Sequence, residues 1–233
     1  MYLPFGKYST WLVSSPLTKS LARTSGRAID IGYKGDNFVT TAFVMHGDSG
    51  NVVYSFRDSD HVNAWGGNAE TNIKLSNDNK LTLGAGYTNN LADSEGVLSV
   101  LEYVTAAAPV SSLSYNVQNL VPAYDAYAKL ELGEDWVLNA EYIYATKDII
   151  ADVPGGFNLG KPMAYHVELD HLAYLGPLPL AMGVGYGHTN GFQYMPADSY
   201  QFAVSTYLWK DTVQSLEYRH LKAYPGTEST AIF

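Results

Sequence analysis

Few groups of residues have the types and spacing to do chemistry. Gly47-Asp48-Ser49-Gly50 has the text of a serine-protease nucleophile turn. That chemistry needs a His and an Asp delivered to the Ser, and the chymotrypsin order places both well before it. The one His before Ser49 is His46, and Asn51-Val52-Val53 does not continue the motif, so the string reads as a loop turn. His166-Val167-Glu168-Leu169-Asp170 sets three potential metal ligands on one strand face, with His171 on the other. Alternate strand residues lie about 7 Å apart, too far for three in a row to chelate one small ion. Charges lining a conduit are the better reading. Glu141 and Glu168 could be sought as a glycosidase acid/base pair, but nothing fixes their separation among so many carboxylates. Gly183, Gly185 and Gly187 lack the strand-turn-helix setting of a phosphate loop and instead thin one strand wall. No catalytic residue, metal ligand or cofactor is expected.

The elements that carry these residues are strands. Stretches of about ten residues with period-2 alternation come in pairs, joined by the short turns GDN, NDN, GED, GP and KD. In the clearest pair, VPAYDAYAKLEL and WVLNAEYIYATK flank GED, and Leu138, Ala140, Tyr142 and Tyr144 share a face opposite Asn139 and Glu141. Between pairs run longer connections, roughly His46 to His61, Leu91 to Leu120, Lys147 to Met163 and Asn190 to Ala197. Within Leu91 to Leu120, LSVLEYVTAAA is the one plausible short helix. It could constrict a pore or cap its mouth, or the segment could be a surface excursion holding a strand pair. Short turns at one end and long loops at the other are the layout of a transmembrane β-barrel. At roughly 35 to 40 residues per hairpin and loop, a chain of 233 residues holds about twelve strands. Strands of a soluble sandwich are shorter, about five or six residues.

The two strand faces differ in chemistry. Asp30, Lys34, Lys74, Asp125, Lys129, Glu141, His166, Glu168, Asp170, Glu217 and Arg219 fall on one face, and apolar residues such as Ile29, Ile31, Ile73, Leu138 and Val167 on the other. A polar lumen inside a lipid-facing wall predicts this, and the ionisable side chains are the expected pore lining. Tyr33, Phe38, Trp136, Tyr174 and Trp209 lie within about two residues of a tight turn, where a membrane girdle of aromatics is expected. Around Phe202 and Val204 the faces differ only weakly, as in a soluble antiparallel sheet with one wet face.

Composition agrees. Charged residues make up 16%, Tyr numbers 19 and Gly 21, and Cys is absent, which removes disulfides and thiolate chemistry. The net charge of -9 argues against nucleic acid as a partner. Mean hydropathy is -0.11, and no apolar run approaches the roughly 20 residues of a spanning helix. The opening residues lack a secretory signal pattern.

The segment PFGKYSTWLVSSPLTKSLART, Pro4 to Thr24, resembles a block of the LbtU-type siderophore porins, outer-membrane β-barrels of Gram-negative bacteria. The matching elements are Pro4-Phe5-Gly6, Tyr8, Thr10, Ser15-Pro16-Leu17-Thr18 and Thr24, with tyrosine-rich strands ending in text like Glu217 to His220. In that family a strand ends near PFG and the SxPLT segment begins a loop. Members carry a signal peptide, a coiled-coil-prone region and further strands ahead of PFG, so this chain is expected to lack that beginning. Phe233 resembles the terminal aromatic of barrel-assembly signals, without the usual apolar alternation before it. The resemblance implies passage of ferric siderophores, or other small solutes, across the outer membrane, with lipid around the barrel and homotrimer assembly left open. The expected fold is therefore all-β, an antiparallel transmembrane β-barrel of about twelve strands, a single domain over residues 1–233, incomplete at its N-terminus. The competing expectations are a soluble carbohydrate-binding β-sandwich with Tyr and Trp platforms and, further off, a barrel enzyme.

Overall fold

A computed structural model describes residues 10–24, 27–46, 62–106, 117–151, 157–192, 194–209, 212–223 and 228–232. The strings Gly47 to Gly50 and Pro4 to Gly6, with Tyr8 and Phe233, lie outside the described residues. Alternation produces long strands: β1 (Ala28–Lys34), β2 (Phe38–His46), β3 (Val62–Lys74), β4 (Asn79–Thr88), β5 (Ala123–Leu132), β6 (Trp136–Ala145), β9 (Met163–Leu175), β10 (Leu178–Asn190), β11 (Asp198–Trp209), β12 (Thr212–Lys222) and β13 (Glu228–Ile232). They form one 11-stranded antiparallel sheet in chain order, open between β1 and β13 among the described residues. The small hairpin β7 (Ile149–Ala151) with β8 (Phe157–Gly160) stands apart from it. Two α-helices, α1 (Leu17–Ala22) and α2 (Glu95–Ala106), and a short 3-10 helix over Leu91–Asp93 complete the elements among the described residues.

The tight turns cluster at one end of the sheet and the long connections at the other. Leu175 pairs with Leu178 across a two-residue turn whose Gly176 has φ 63°. That conformation is the one such hairpins require and only Gly adopts freely. Gly133, φ 62°, plays the same part between β5 and β6.

Register assigns each residue to a face. The chain of partners Asp30–Phe43–Gly66–Thr88–Ala123–Ala145 begins on the same face as the row Lys129–Asn139–Glu168–Gly185–Gln201–Arg219. This face is the inner one, and Ile31, Trp65, Leu83, Leu138, Leu169, Val184 and Phe202 stand exposed on the outer one. All Asp, Glu, Lys and Arg of the eleven strands fall on inner positions except Asp198, Lys222 and Glu228. Those three share one register row at the loop end.

The main apolar cluster is also at the loop end, inside the sheet. Leu17 and Leu21 of α1 and Val97, Val100 and Leu101 of α2 meet Ile143, Ala164, Ile149, Leu159 and Phe192. Gly96 lets the helices touch, since a Cβ there would sit 2.4 Å from the Ser20 carbonyl oxygen. Arg23 and Glu95 close the contact with an ion pair of 2.9 Å. Of LSVLEYVTAAA, the described part, Leu98 to Ala106, is helical as expected, and α2 packs on the inner side of the sheet at the loop end. In contrast, α1 replaces the loop start implied by the resemblance at SxPLT. Six residues are too few to show a helical period, and burial of Leu17, Leu21 and Ala22 holds them in place.

Candidate functional site

A buried carboxylate has to find donors, and those of the inner wall find them in the chain's own opening segment. Residues 10–16 run along the inner faces of β9 to β12 as a strap leading into α1. Glu168, fully buried, accepts the Trp11 backbone N–H at 2.8 Å and has the Thr10 hydroxyl 2.9 and 2.7 Å from its two oxygens. Glu217, also fully buried, accepts the backbone N–H of Val13 and, at 3.0 Å, that of Ser14, and the Ser14 hydroxyl besides. Gln201 donates from Nε2 to Ser14 Oγ at 2.7 Å.

Between these acceptors lies the glycine row of β10. A Cβ on Gly185 would fall 2.6 Å from Leu12 Cδ1, and one on Gly183 would meet the same side chain at 3.4 Å. Gly187 faces Leu17 at 3.3 Å. The thinned wall is thus a seat for Leu12 of the strap and Leu17 at the start of α1. Polar partners extend along the wall: His166 Nε2 lies 3.2 Å from Glu168 Oε2, and Asn139 donates to Asp170 Oδ2 at 3.2 Å.

All the expected lining residues share the inner face by register, but they meet two environments. Asp125, Glu141, His166, Glu168, Asp170 and Glu217 are buried. Asp30, Lys34 and Lys74 are exposed, and Lys129 and Arg219 are half-buried. Lys129 pairs with Glu131 at 2.9 Å, and Arg219 donates from Nε to Ser199 Oγ at 3.5 Å. Lys74 borders a cavity of about 440 Å³ at the turn end, with Lys80, Glu131, Asn72 and Asp78.

Among the expected girdle residues, Tyr33 and Phe38 meet on the outer face with ring centroids 5.4 Å apart, and Trp136 stacks on His171 at 3.9 Å. Trp209 is exposed beyond a register irregularity in β11. Tyr174 differs. It pairs with Pro179 and shares the face of Asp170, because it lies an even number of residues further along an unbroken strand, while Leu175 takes the outer position beside the turn. A second aromatic band runs around the loop end and was not anticipated. Trp65–Tyr87, Tyr87–Tyr124, Tyr165–Tyr186 and Tyr186–Tyr200 have centroids between 5.1 and 5.9 Å apart. Tyrosines recurring at loop-proximal outer positions were the available signal.

No family model matches the chain. It is 33% identical over 226 residues to a UPF0422 protein of Coxiella burnetii, covering 94% of this chain and 46% of that one. A UPF0422 protein of Legionella pneumophila is 29% identical over 235 residues, covering 94% and 42%. The chain therefore spans less than half the length of these curated relatives. Among solved structures, the outer-membrane channel DcaP of Acinetobacter baumannii superposes with a TM-score of 0.53 at 10% identity, over 96% of this chain and 66% of that one. The fold is that of an outer-membrane β-barrel. Its two sheet faces are the ones already distinguished by charge.

Proposed function

We propose that the chain forms the wall of an outer-membrane channel, a single barrel domain that passes small solutes without transforming them. Ferric siderophores are the solute class, as the likeness of Pro4 to Thr24 to siderophore porins implies. One observation carries the reading: the strands keep Asp, Glu, Lys and Arg off the outer face everywhere but in the row of Asp198, Lys222 and Glu228 at the loop end. Lipid demands such a face, because a Lys or Arg at the bilayer midplane costs about 2 to 4 kcal/mol. A soluble sandwich would have no reason to expose Ile29, Ile31, Leu169, Val184, Phe202 and Leu216 together.

Refolded protein should sediment with membranes, shift its gel mobility on heating and give steps of current in planar bilayers. A soluble, non-conducting product would overturn the channel. The substrate class is tested by uptake of radiolabelled iron in cells lacking the gene, with and without a plasmid copy. Equal uptake of every ferric siderophore supplied would remove the siderophore assignment and leave the channel. Homotrimer assembly, left open by the sequence, is read by cross-linking in detergent, where a three-subunit band would support it and a monomer band alone would refute it.

A further inference from the structure

The strap does more than fill space, because the wall beneath it has the features of a binding groove. Its floor is the row Gly183, Gly185, Gly187, open enough to take the side chains of Leu12 and Leu17. Its edges are Glu168, which accepts the Trp11 N–H and the Thr10 hydroxyl, and Glu217, which accepts the N–H groups of Val13 and Ser14, in a segment that bends from Trp11 to Ser14. Glu168 and Glu217 take N–H and hydroxyl donors from the strap, so this wall accepts hydrogen bonds from a chain laid across it as well as packing against side chains. Moreover, Gln201, 3% exposed, has an Oε1 without a hydrogen-bond partner among the described residues. That oxygen lies 3.5 Å from the Gly185 Cβ position, so it is directed at the groove. The strap leaves this acceptor unused, although a different extended chain with one more donor could reach it. Val13, 51% exposed, faces the remaining space instead of the wall.

We propose that the inner wall of β9 to β12 is a binding groove for a short peptide or peptide-like chain, and that Thr10 to Leu17 occupies it as a built-in competitor. Recognition is by N–H donors on Glu168 and Glu217, with an aliphatic side chain in the glycine seat. Specificity for donors follows, since a carboxylate-rich solute would face two buried carboxylates with no compensating charge. A solute of this class takes the site by displacing the strap; this rests on the channel reading and adds a peptide-like chain to the small solutes the conduit binds.

Leu12→Asp frees the groove without altering it, because an aspartate cannot sit on the glycine seat between Glu168 and Asp170. The probe is the blocked pentapeptide acetyl-Thr-Trp-Leu-Val-Ser-amide, titrated calorimetrically into full-length protein in detergent. It should bind the Leu12→Asp protein about tenfold more tightly than wild type, whose groove is occupied. Adding Glu168→Gln and Glu217→Gln should weaken that binding by about tenfold. Equal affinity for wild type and Leu12→Asp, or indifference to the two glutamates, overturns the groove. In bilayers the Leu12→Asp protein should pass more current than wild type, and the peptide should block it. Peptide binding without current would sink the channel and keep the groove, whereas current without binding would do the reverse. Gly185→Leu approaches from the opposite side, crowding Leu12 off an intact barrel. It should raise conductance like Leu12→Asp yet bind no peptide. A folded Gly185→Leu protein that conducts as wild type does and binds the peptide counts against the proposal.

Discussion

The wall of β9 to β12 and the wall of β1 to β3 obey the same alternation and present ionisable residues to the same interior. Their fates differ. On the first, Glu168, Asp170 and Glu217 are buried beneath the strap; on the second, Asp30, Lys34 and Lys74 are open to solvent. Strand periodicity decides which face a side chain takes, and here the small residues of β10 decide what covers it. Gly183, Gly185 and Gly187 admit a second layer of chain. The inner face of β2 instead carries Thr41, Phe43 and Met45, and the last two pack with Ala64 into a small apolar cluster of their own.

The contrast should be widest for removal of carboxylates. Glu168→Leu with Glu217→Leu strands the N–H groups of Trp11, Val13 and Ser14 without acceptors, at about 1 to 3 kcal/mol for each left buried. The denaturation midpoint should fall and Trp11 should become accessible to acrylamide. Asp30→Leu with Lys34→Leu touches exposed positions, and stability should move by about 0.5 kcal/mol or less. Equal losses from the two pairs would erase the difference between the walls.

A smaller gap is expected for added methyl groups. A Cβ on Gly84 would fall 2.0 Å from the Tyr127 ring, which lies across β4 and donates to Glu70 at 2.6 Å. Gly84→Ala must push that ring aside, at about 1 to 3 kcal/mol. Gly32, on β1, has its nearest neighbour at 3.3 Å. Gly32→Ala should be almost silent in a urea melt. A Gly32→Ala protein that lost as much stability as Gly84→Ala would show that β1 is packed as tightly as β4.

Much of this was legible beforehand. The hairpins, their turns, the long connections and the face of every lining residue follow from period 2 and turn chemistry. Besides the loop-end aromatic band, three features were not. The strap carries no periodicity of its own, and α1 is held only by burial, so Thr10 to Ala22 reads as loop. Its trace lies elsewhere, in three inner-facing glycines on β10, since a strand without inner side chains implies that something else supplies the packing. The hairpin β7–β8 is too short for alternation to show, with 3 and 4 residues. For Tyr174, closeness to a turn suggested the outer girdle, but parity along β9 puts it on the inner face. Proximity to a turn gives height along the strand and says nothing about side.

The finest difference between the walls should appear in ion selectivity. Lys34 and Lys74 stand exposed on inner positions near the turn end, and Lys74 borders the cavity shared with Lys80 and Glu131. Reversing their sign with Lys34→Glu and Lys74→Glu leaves folding alone, because neither has a buried partner to lose. In the proposed channel it changes the field met by an ion entering from that end, so conduction should become more cation-selective, read as a shifted reversal potential across a salt gradient. The shift should be clear at low salt and shrink at high salt, where the Debye length falls from about 10 Å at 0.1 M to about 3 Å at 1 M. Arg219, half-buried and bonded to Ser199, is shielded from the conduit by protein on its own wall. Arg219→Gln should therefore shift the potential less than either lysine does. A larger shift from Arg219 would mean that ions travel along the strap-covered wall, with the β1 to β3 side a lining they do not use.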